Sequence, residues 1–537
     1  MEKKQPDLRD FFKLPNPGLR AYFQRTDQGN QDDYRPPFWK GQSREEVLAG
    51  WQKVLDGLGV KEKWPSLYDY EMEMKTKVGP MSLQLPLKDR LESIEAYFTG
   101  VEGKHDPIPQ EAIDATINFF GGAKGLRLRS LKNTANKMRL STNSGNPWFT
   151  KRHRVIDEAI SSQIICENGK WYALLGDERF ELAAILGWRG QEGGIHEDDV
   201  KQRVIWMMSV LLNIHELSFY QPAIEAIQKR RLIPAYVSMD EVDRRVTALF
   251  DTKGASDVVI CTDFSKFDQH FNREMQDAAL KVLQGLAGSG TEEWFNIIYP
   301  AKFNIPLICS ENLMYEGFHG MGSGSGGTNF DECMAHKALQ FDACQRLGTH
   351  LNPNSMAYGD DGVLSAPNLT VEDVIRAYTS HGMEMNPEKQ YVSTQDCVVL
   401  RRWHHVNYRI GGTMVGVYST FRALGRLLAQ ERFYDPEEWG PEQVTLRAWS
   451  ILENCNYSPY FEEFVQFVIK GDKYRLGLDL PGFMDHIGSI VKKSIDKLPD
   501  FLGYTKTMQK SSQEMVTGFN GDGIKSWRIY KYLKSLK

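Results

Sequence analysis

Residues 356 to 365 read MAYGDDGVLS, two short apolar runs on either side of Gly-Asp-Asp-Gly. Alone, that pattern decides nothing. Met356–Tyr358 and Val363–Leu364 are strand-like, and the polar residues between them suit a tight hairpin turn. Asp360 and Asp361 then sit together at the tip, where their charges repel. A hard divalent cation, which takes oxygen ligands, would relieve that repulsion. A solvated turn would use the same residues, because glycine and aspartate are ordinary turn formers. What separates the two readings is whether a third carboxylate, a substrate cradle and a nucleic-acid path accompany the pair.

The third carboxylate is Asp263. The segment DVVICTDFSKFDQHF (257–271) begins as a buried strand of β-branched residues and delivers Asp263 at its end, with Asp268 five residues on. Asp263 and Asp360 together could bridge two magnesium ions ~3.5–4 Å apart, the spacing of two-metal phosphoryl transfer. The cradle is GMGSGSGGTN (320–329), whose five glycines allow backbone to approach a ligand closely. Ser323 and Thr328 supply hydroxyls there. A linker would not run straight into an amphipathic helix (327–347), and the lysine of an ATP-binding P-loop is missing.

The net charge of −5 argues against a nucleic-acid partner, but its distribution argues the other way. Between Asp114 and Asp157 no acidic residue occurs, while Lys124, Arg127, Arg129, Lys132, Lys137, Arg139, Lys151, Arg152 and Arg154 do. The closing KSWRIYKYLKSLK interleaves Lys525, Arg528, Lys531, Lys534 and Lys537 with Trp527, Tyr530 and Tyr532. Such mixtures suit phosphates and stacked bases; a solvated helix face looks similar. Seven scattered cysteines without a C-x-x-C pair disfavour a zinc knuckle or disulfide framework and fit a reducing, intracellular setting. The N-terminus has no signal core, and no run approaches the ~20 apolar residues of a membrane span.

Length alone suggests about three or four structural units. Residues 1–65, rich in Pro, Gln, Asp and aromatics, read as an extension wrapped on the body. Helical and loop patterns alternate from about 70 to 255, including a long apolar helix candidate, VIWMMSVLLNIHELSFY. A helix over VEDVIRAYTSHG follows the 355–365 hairpin, and beyond 405 the chain turns mostly helical. The order predicts an α+β core with a helical C-terminal domain.

In sequence order these pieces resemble the palm of viral RNA-dependent RNA polymerases. DFSKFD resembles that family's first motif, SGSGGT its second and YGDD its third. HGMEMNPEK, ending in Lys389, is similar to the fourth; VVLRRW, with Arg401 or Arg402 beside the primer, is similar to the fifth. Upstream, TNSGNP (142–147) resembles the template-entry motif, placing Thr142, Ser144, Gly145 and Pro147 on template. GWRGQ and KQRVI resemble the basic triphosphate channel, placing Arg189, Lys201 and Arg203 on the incoming nucleotide. The wording is most similar to polymerases of picobirnaviruses, which have segmented double-stranded RNA genomes.

The resemblance implies a closed right-hand cup whose palm is an antiparallel sheet backed by helices. Its expected parts are fingers at 66–255 and 273–318, palm at 256–272 and 319–405, and thumb with C-terminal segment at 406–537. It implies RNA synthesis with two Mg2+ ions, Mn2+ being able to substitute, held by Asp263, Asp360 and Asp361. Lys389 would protonate the pyrophosphate, and Asp268, Ser323, Gly324, Thr328 and Asn329 would contact the nucleotide. Template and product RNA, ribonucleoside triphosphates and a viral capsid protein are the implied partners, with no membrane. The implied locations are the virion interior and the host cytoplasm. One departure stands out: many relatives carry Asn four residues after the second motif's Thr, where this chain has Glu332, with Asn329 directly after Thr328.

HVNYRIGGTMVGVYST (405–420) predicts a hairpin turning at Gly411-Gly412. Projecting toward the cavity, it would offer Tyr408 and Tyr418 for a first nucleotide to stack on and let synthesis start without a primer; completing the palm sheet is the other reading. Two rival functions remain. A reverse transcriptase normally blocks the 2′-hydroxyl with a bulky side chain, whereas Asp268 is an acceptor able to recognise it. A non-catalytic RNA-binding packaging protein would leave the strand-end aspartates unexplained.

Overall fold

The strand expected before Asp263 forms over Val259–Thr262, with all its residues buried. It is the third strand of a four-stranded antiparallel sheet in the order Met356–Tyr358, Asp361–Leu364, Val259–Thr262, Tyr391–Ser393. This computed structural model describes residues 1–36, 40–191, 193–494 and 523–537. Gly362 stands opposite Thr262, so the register carries Asp263 and the Asp360–Asp361 turn to the same edge. Gly359 adopts a positive φ of 60° in that turn, a conformation that favours glycine.

The helix Thr328–Gln345 lies buried behind the sheet, and the helices Arg273–Leu286 and Val371–Ser380 pack on it. Its His336 donates from Nδ1 to Gly359 O at 2.8 Å, and burial lowers that imidazole to about 4, leaving it neutral. A Cβ at Gly362 would lie 2.6 Å from the His336 ring. The helix therefore approaches the carboxylate hairpin as closely as glycine permits.

A second, five-stranded sheet runs Glu2–Lys4, Met314–Glu316, Leu307–Ile308, Ala184–Gln191, Lys201–Met207. Phe11, Phe12, Leu19 and Phe23 pack on it against Ile185 and Ile308. The long apolar helix expected at 204–220 is corrected. Its first part is strand, paired with Ala184–Gln191, and only Val210–Lys229 is helical. Ser209 makes the break, its Oγ accepting from Leu211 N at 3.1 Å as an N-cap. A further sheet of Gln163–Glu167, Lys170–Leu175 and Glu178–Glu181 also lies where helices and loops were expected.

The boundary at 66 is corrected too. The helices Arg44–Gly57, Val60–Lys63 and Pro65–Lys75 share one core with the C-terminal helices Thr420–Leu428, Pro441–Glu453, Phe461–Gly471 and Arg528–Ser535. Buried Glu71 caps Thr420–Leu428, accepting from Thr420 N at 2.8 Å, Phe421 N at 3.1 Å and the Ser419 and Thr420 hydroxyls. The chain thus runs from the five-stranded sheet to the C-terminal helices before it builds the rest of the body.

The 405–420 hairpin forms as Arg409–Ile410 and Thr413–Met414, with Gly411 and Gly412 at positive φ of 57° and 83°. Its expected placement is corrected. Arg409 pairs with Asp251 at 2.8 Å and Met414 N donates to Thr247 Oγ1 at 2.9 Å, which seats the hairpin on the helix Met239–Thr252. Tyr418 is buried in a strand pair with Arg402. Tyr408 meets Trp64 edge-on at 5.5 Å and donates its hydroxyl to Tyr457 O. Tyr418 is thus in the core and Tyr408 half-buried against Trp64 and Trp403, and among the described residues the hairpin strands pair with each other and not with the four-stranded sheet.

Candidate active site

Three carboxylates gather at the sheet edge. Asp263 is positioned by its backbone: its N donates to Gln390 Oε1 and its O accepts from Gln390 Nε2, both at 2.8 Å. Asp361 Oδ2 accepts from Leu400 N at 2.7 Å. Burial, then the neighbouring Asp360, pushes the Asp361 carboxyl up to about 7. Burial and Asp268 raise Asp360, opposed by Arg203 and Arg401. Asp263 is raised by burial and held back by Lys389 and Lys77. Among the described residues, no three His, Cys, Asp or Glu side chains close around a metal by themselves.

Asp268 faces Glu332. The two share a hydrogen bond, and burial together with Asp268 drives Glu332 well above the ordinary carboxyl range. Burial and the neighbouring Asp268 thus favour the protonated, donating form of Glu332. Asn329 is turned by Tyr236, whose hydroxyl donates to Asn329 Oδ1 at 2.8 Å. Asn329 Nδ2 and Glu332 Oε2 both lie 3.3 Å from where a Gly359 Cβ would stand. Both residues thus border the turn that carries Asp360. Glu332 was singled out in the sequence as a departure; its pairing with Asp268 needed the structure.

The glycine-rich loop is packed, not free. A Cβ at Gly324 would overlap Trp206 O, and one at Gly327 would overlap the Tyr220 ring. Glu216, buried, accepts from Ser325 Oγ and from Gly326 N at 3.3 Å. Ser323 Oγ accepts from Trp206 N at 3.1 Å, and Thr328 Oγ1 donates to Gly322 O at 2.9 Å. The Ser323 and Thr328 hydroxyls thus hold the loop in shape. Glu216 gave no sequence signal, because it lies inside an apolar helix far from the motif.

Arg189 and Arg203 stand directly opposite on adjacent strands, with Lys201 opposite Gln191 two residues farther out. Arg203 is the one whose field reaches Asp360. Lys201 lines a cavity of about 850 Å³ together with Lys75, Glu45, Asp198 and Asp199. Lys389 ends the short helix Pro387–Lys389 and shares a cavity of about 380 Å³ with Asp263. Of the primer-side pair, Arg401 faces the carboxylates, whereas Arg402 is buried and reaches Asn454 O.

The template-entry residues are partly corrected. Ser144, Gly145 and Pro147 are buried. Ser144 O accepts from Val210 N at 2.8 Å, its Oγ accepts from Thr150 N at 3.1 Å, and Gly145 N donates to Asn143 Oδ1 at 2.7 Å. They fasten the loop to the start of the helix Val210–Lys229. Thr142 and the neighbouring Arg139 and Lys151 are among the exposed positions.

This geometry has close counterparts. Residues 195–456 match the family described as viral RNA-dependent RNA polymerase. A potential RNA-dependent RNA polymerase of human picobirnavirus (strain Human/Thailand/Hy005102/-) is 48% identical over 533 residues, 98% of each chain. The chain belongs to the viral RNA-dependent RNA polymerases. The crystal structure of a human picobirnavirus RNA-dependent RNA polymerase superposes with a TM-score of 0.93, covering 99% of this chain and all of that one at 48% identity. An insertion-loop deletion mutant of such a polymerase gives 0.89 at 48% identity, over 94% of this chain and all of its own. The fold is therefore the right-hand polymerase fold, and RNA and nucleotides are the substrates this family implies. Polymerases of this family generally use divalent metal ions. Among the described residues no helix is long and apolar enough to cross a membrane.

Proposed function

We propose that this polymerase joins nucleotides at the edge where Asp263, Asp360 and Asp361 meet, copying the RNA of a double-stranded RNA virus. The observation that carries this is the register placing Thr262 opposite Gly362, which brings acidic residues distant in sequence to one place. The donor set is all oxygen, with Asp360 and Asp361 side by side and only partly countered by Arg203 and Arg401, which fits a hard cation such as Mg2+, or Mn2+ in its stead. Two such ions, when bound, lower the pKa of the primer 3′-hydroxyl and neutralise the triphosphate.

The protein's own groups supply the rest. Arg203 and Arg189 counter phosphate charge on the incoming nucleotide, with Lys201 farther out. Lys389, beside Asp263, protonates the leaving pyrophosphate. Asp268 accepts from the ribose hydroxyl while Glu332 and Asn329 keep its surroundings supplied with donors. The packed glycine loop, through Ser323, Gly324 and Thr328, shapes the nucleotide floor. Arg401 steadies the primer, and Thr142 with the exposed cations of 124–154 receives the template backbone, where base pairing rather than protein contacts reads sequence. Work inside a virion and in the host cytoplasm, in contact with capsid protein, suits this role.

The test is Asp263→Asn and Asp360→Asn, assayed with single-stranded RNA, Mg2+ and the four ribonucleotides. Each should abolish incorporation and leave template binding nearly intact, because phosphate contacts lie elsewhere. Elongation at the wild-type rate by Asp360→Asn in Mg2+ would reject the assignment.

A further inference from the structure

Arg189 and Arg203 face each other across adjacent strands and point to the same side of the sheet, so their like charges need separate partners. Arg203 has the field of Asp360. Arg189 has Glu431, whose Oε1 lies 3.7 Å from its Nε. That carboxylate comes from another part of the molecule, the segment that follows the C-terminal helix Thr420–Leu428. The same oxygen accepts from Gly190 N at 3.0 Å, and Gln430 N donates to Tyr34 O at 2.9 Å. Glu431 is thus anchored at the backbone and mostly buried, whereas Arg189 remains 57% exposed. A Cβ at Gly190 would overlap Met81 O, so the strand itself has little room to shift away.

We infer that Glu431 is a resident counter-anion for Arg189, displaced by the triphosphate of the incoming nucleotide, and thereby sets nucleotide affinity. The inference rests on the proposed channel role of Arg189. Its logic is competition. Before substrate arrives, each arginine has a protein carboxylate near it. A metal ion held by the carboxylate cluster would offset the charge of Asp360, whereas Glu431 lies outside that cluster, on Arg189 and Gly190 N. The triphosphate must therefore draw Arg189 away from Glu431. A contact at 3.7 Å in water-like surroundings corresponds to about a five-fold change in an equilibrium constant.

Glu431→Gln separates charge from structure, since the amide oxygen still accepts from Gly190 N. Steady-state incorporation by the full-length enzyme should show KM for each ribonucleotide falling about three- to five-fold, with kcat held within two-fold. Inorganic tripolyphosphate, a probe that lacks base and sugar, should inhibit at correspondingly lower concentration. In an Arg189→Gln background the Glu431→Gln effect should vanish. An unchanged or raised KM in Glu431→Gln, or an equal fall in the Arg189→Gln background, overturns the inference. If Glu431→Gln unfolds at a lower temperature than wild type, Glu431→Met, similar in length and uncharged, replaces it with the same criteria. Arg189→Gln alone tests the underlying reading: a KM unaffected by it rejects the channel role, whereas a raised KM with an inert Glu431→Gln rejects only the counter-anion.

Discussion

Asp361→Asn should stabilise the metal-free protein while impairing it as a polymerase. The side-chain oxygen that accepts from Leu400 N at 2.7 Å is preserved in asparagine, so the substitution chiefly removes charge. The Asp361 carboxyl is pushed from 3.8 to about 7 by burial and by Asp360. A carboxyl raised on folding binds its proton more tightly in the folded state, so stability is full below about pH 4 and is lost as pH rises through about 7. A gap of about three units at ~1.4 kcal/mol each gives a penalty on the order of 4 kcal/mol at pH 8. At pH 6 it is still ~3 kcal/mol. In EDTA, urea denaturation should place Asp361→Asn above wild type at both values, by ~1 kcal/mol more at pH 8. Saturating Mg2+ should raise wild type more than the variant, narrowing the difference. Nucleotide incorporation should fall, though less than with Asp360→Asn. A variant less stable than wild type at pH 8, or a gain that ignores pH and Mg2+, would refute the reasoning.

Three further outcomes follow from the site. Asp268→Ala should lose about 5- to 100-fold more incorporation with ribonucleotides than with deoxyribonucleotides, the worth of one hydrogen bond to a charged acceptor; Glu332→Gln should retain that preference and Glu332→Ala weaken it, as competition between the two sugars would measure. Lys389→Leu should slow single-turnover chemistry about 10²–10⁴-fold with nucleotide affinity little changed, and a rate within a few-fold of wild type would make Lys389 a surface residue. Gly324→Ala should disable the enzyme through the glycine loop alone, because its methyl group collides with Trp206 O; unaltered nucleotide affinity and activity would show that the loop can yield.

The parts of the site that were legible in the sequence are those written in local signals. Gly-Asp-Asp-Gly between two apolar runs specifies a hairpin tip, and a β-branched run ending in Asp263 specifies a strand that presents it. Their meeting was inferred from motif order, and the register delivers it. Pairing between remote segments carried no such signal. Lys201–Met207 reads like the start of the helix that follows because both are apolar, and only its partner strand, Ala184–Gln191, makes it extended. Likewise the apolar stripe on Arg44–Gly57 announces a buried face without saying that Phe464 and Thr420 are what it meets.

The tyrosine hairpin shows the same boundary most sharply. Gly411-Gly412 fixed the turn, because two successive positive φ values are what a two-residue hairpin loop demands and what the chain adopts. Where the arms go depends instead on Asp251 and Thr247, more than 150 residues earlier, which hold Arg409 and Met414. The aromatic faces are consumed in the same way, Tyr408 by Trp64 and Trp403 and Tyr418 by the strand beside Arg402. A tyrosine beside a cavity in sequence order is an equally good core residue until its neighbours are known. Function at this junction therefore passes from the hairpin to what it braces: the buried Arg402, the Leu400 N that fixes Asp361, and the exposed Arg401 between them, which is the side chain left facing the carboxylates.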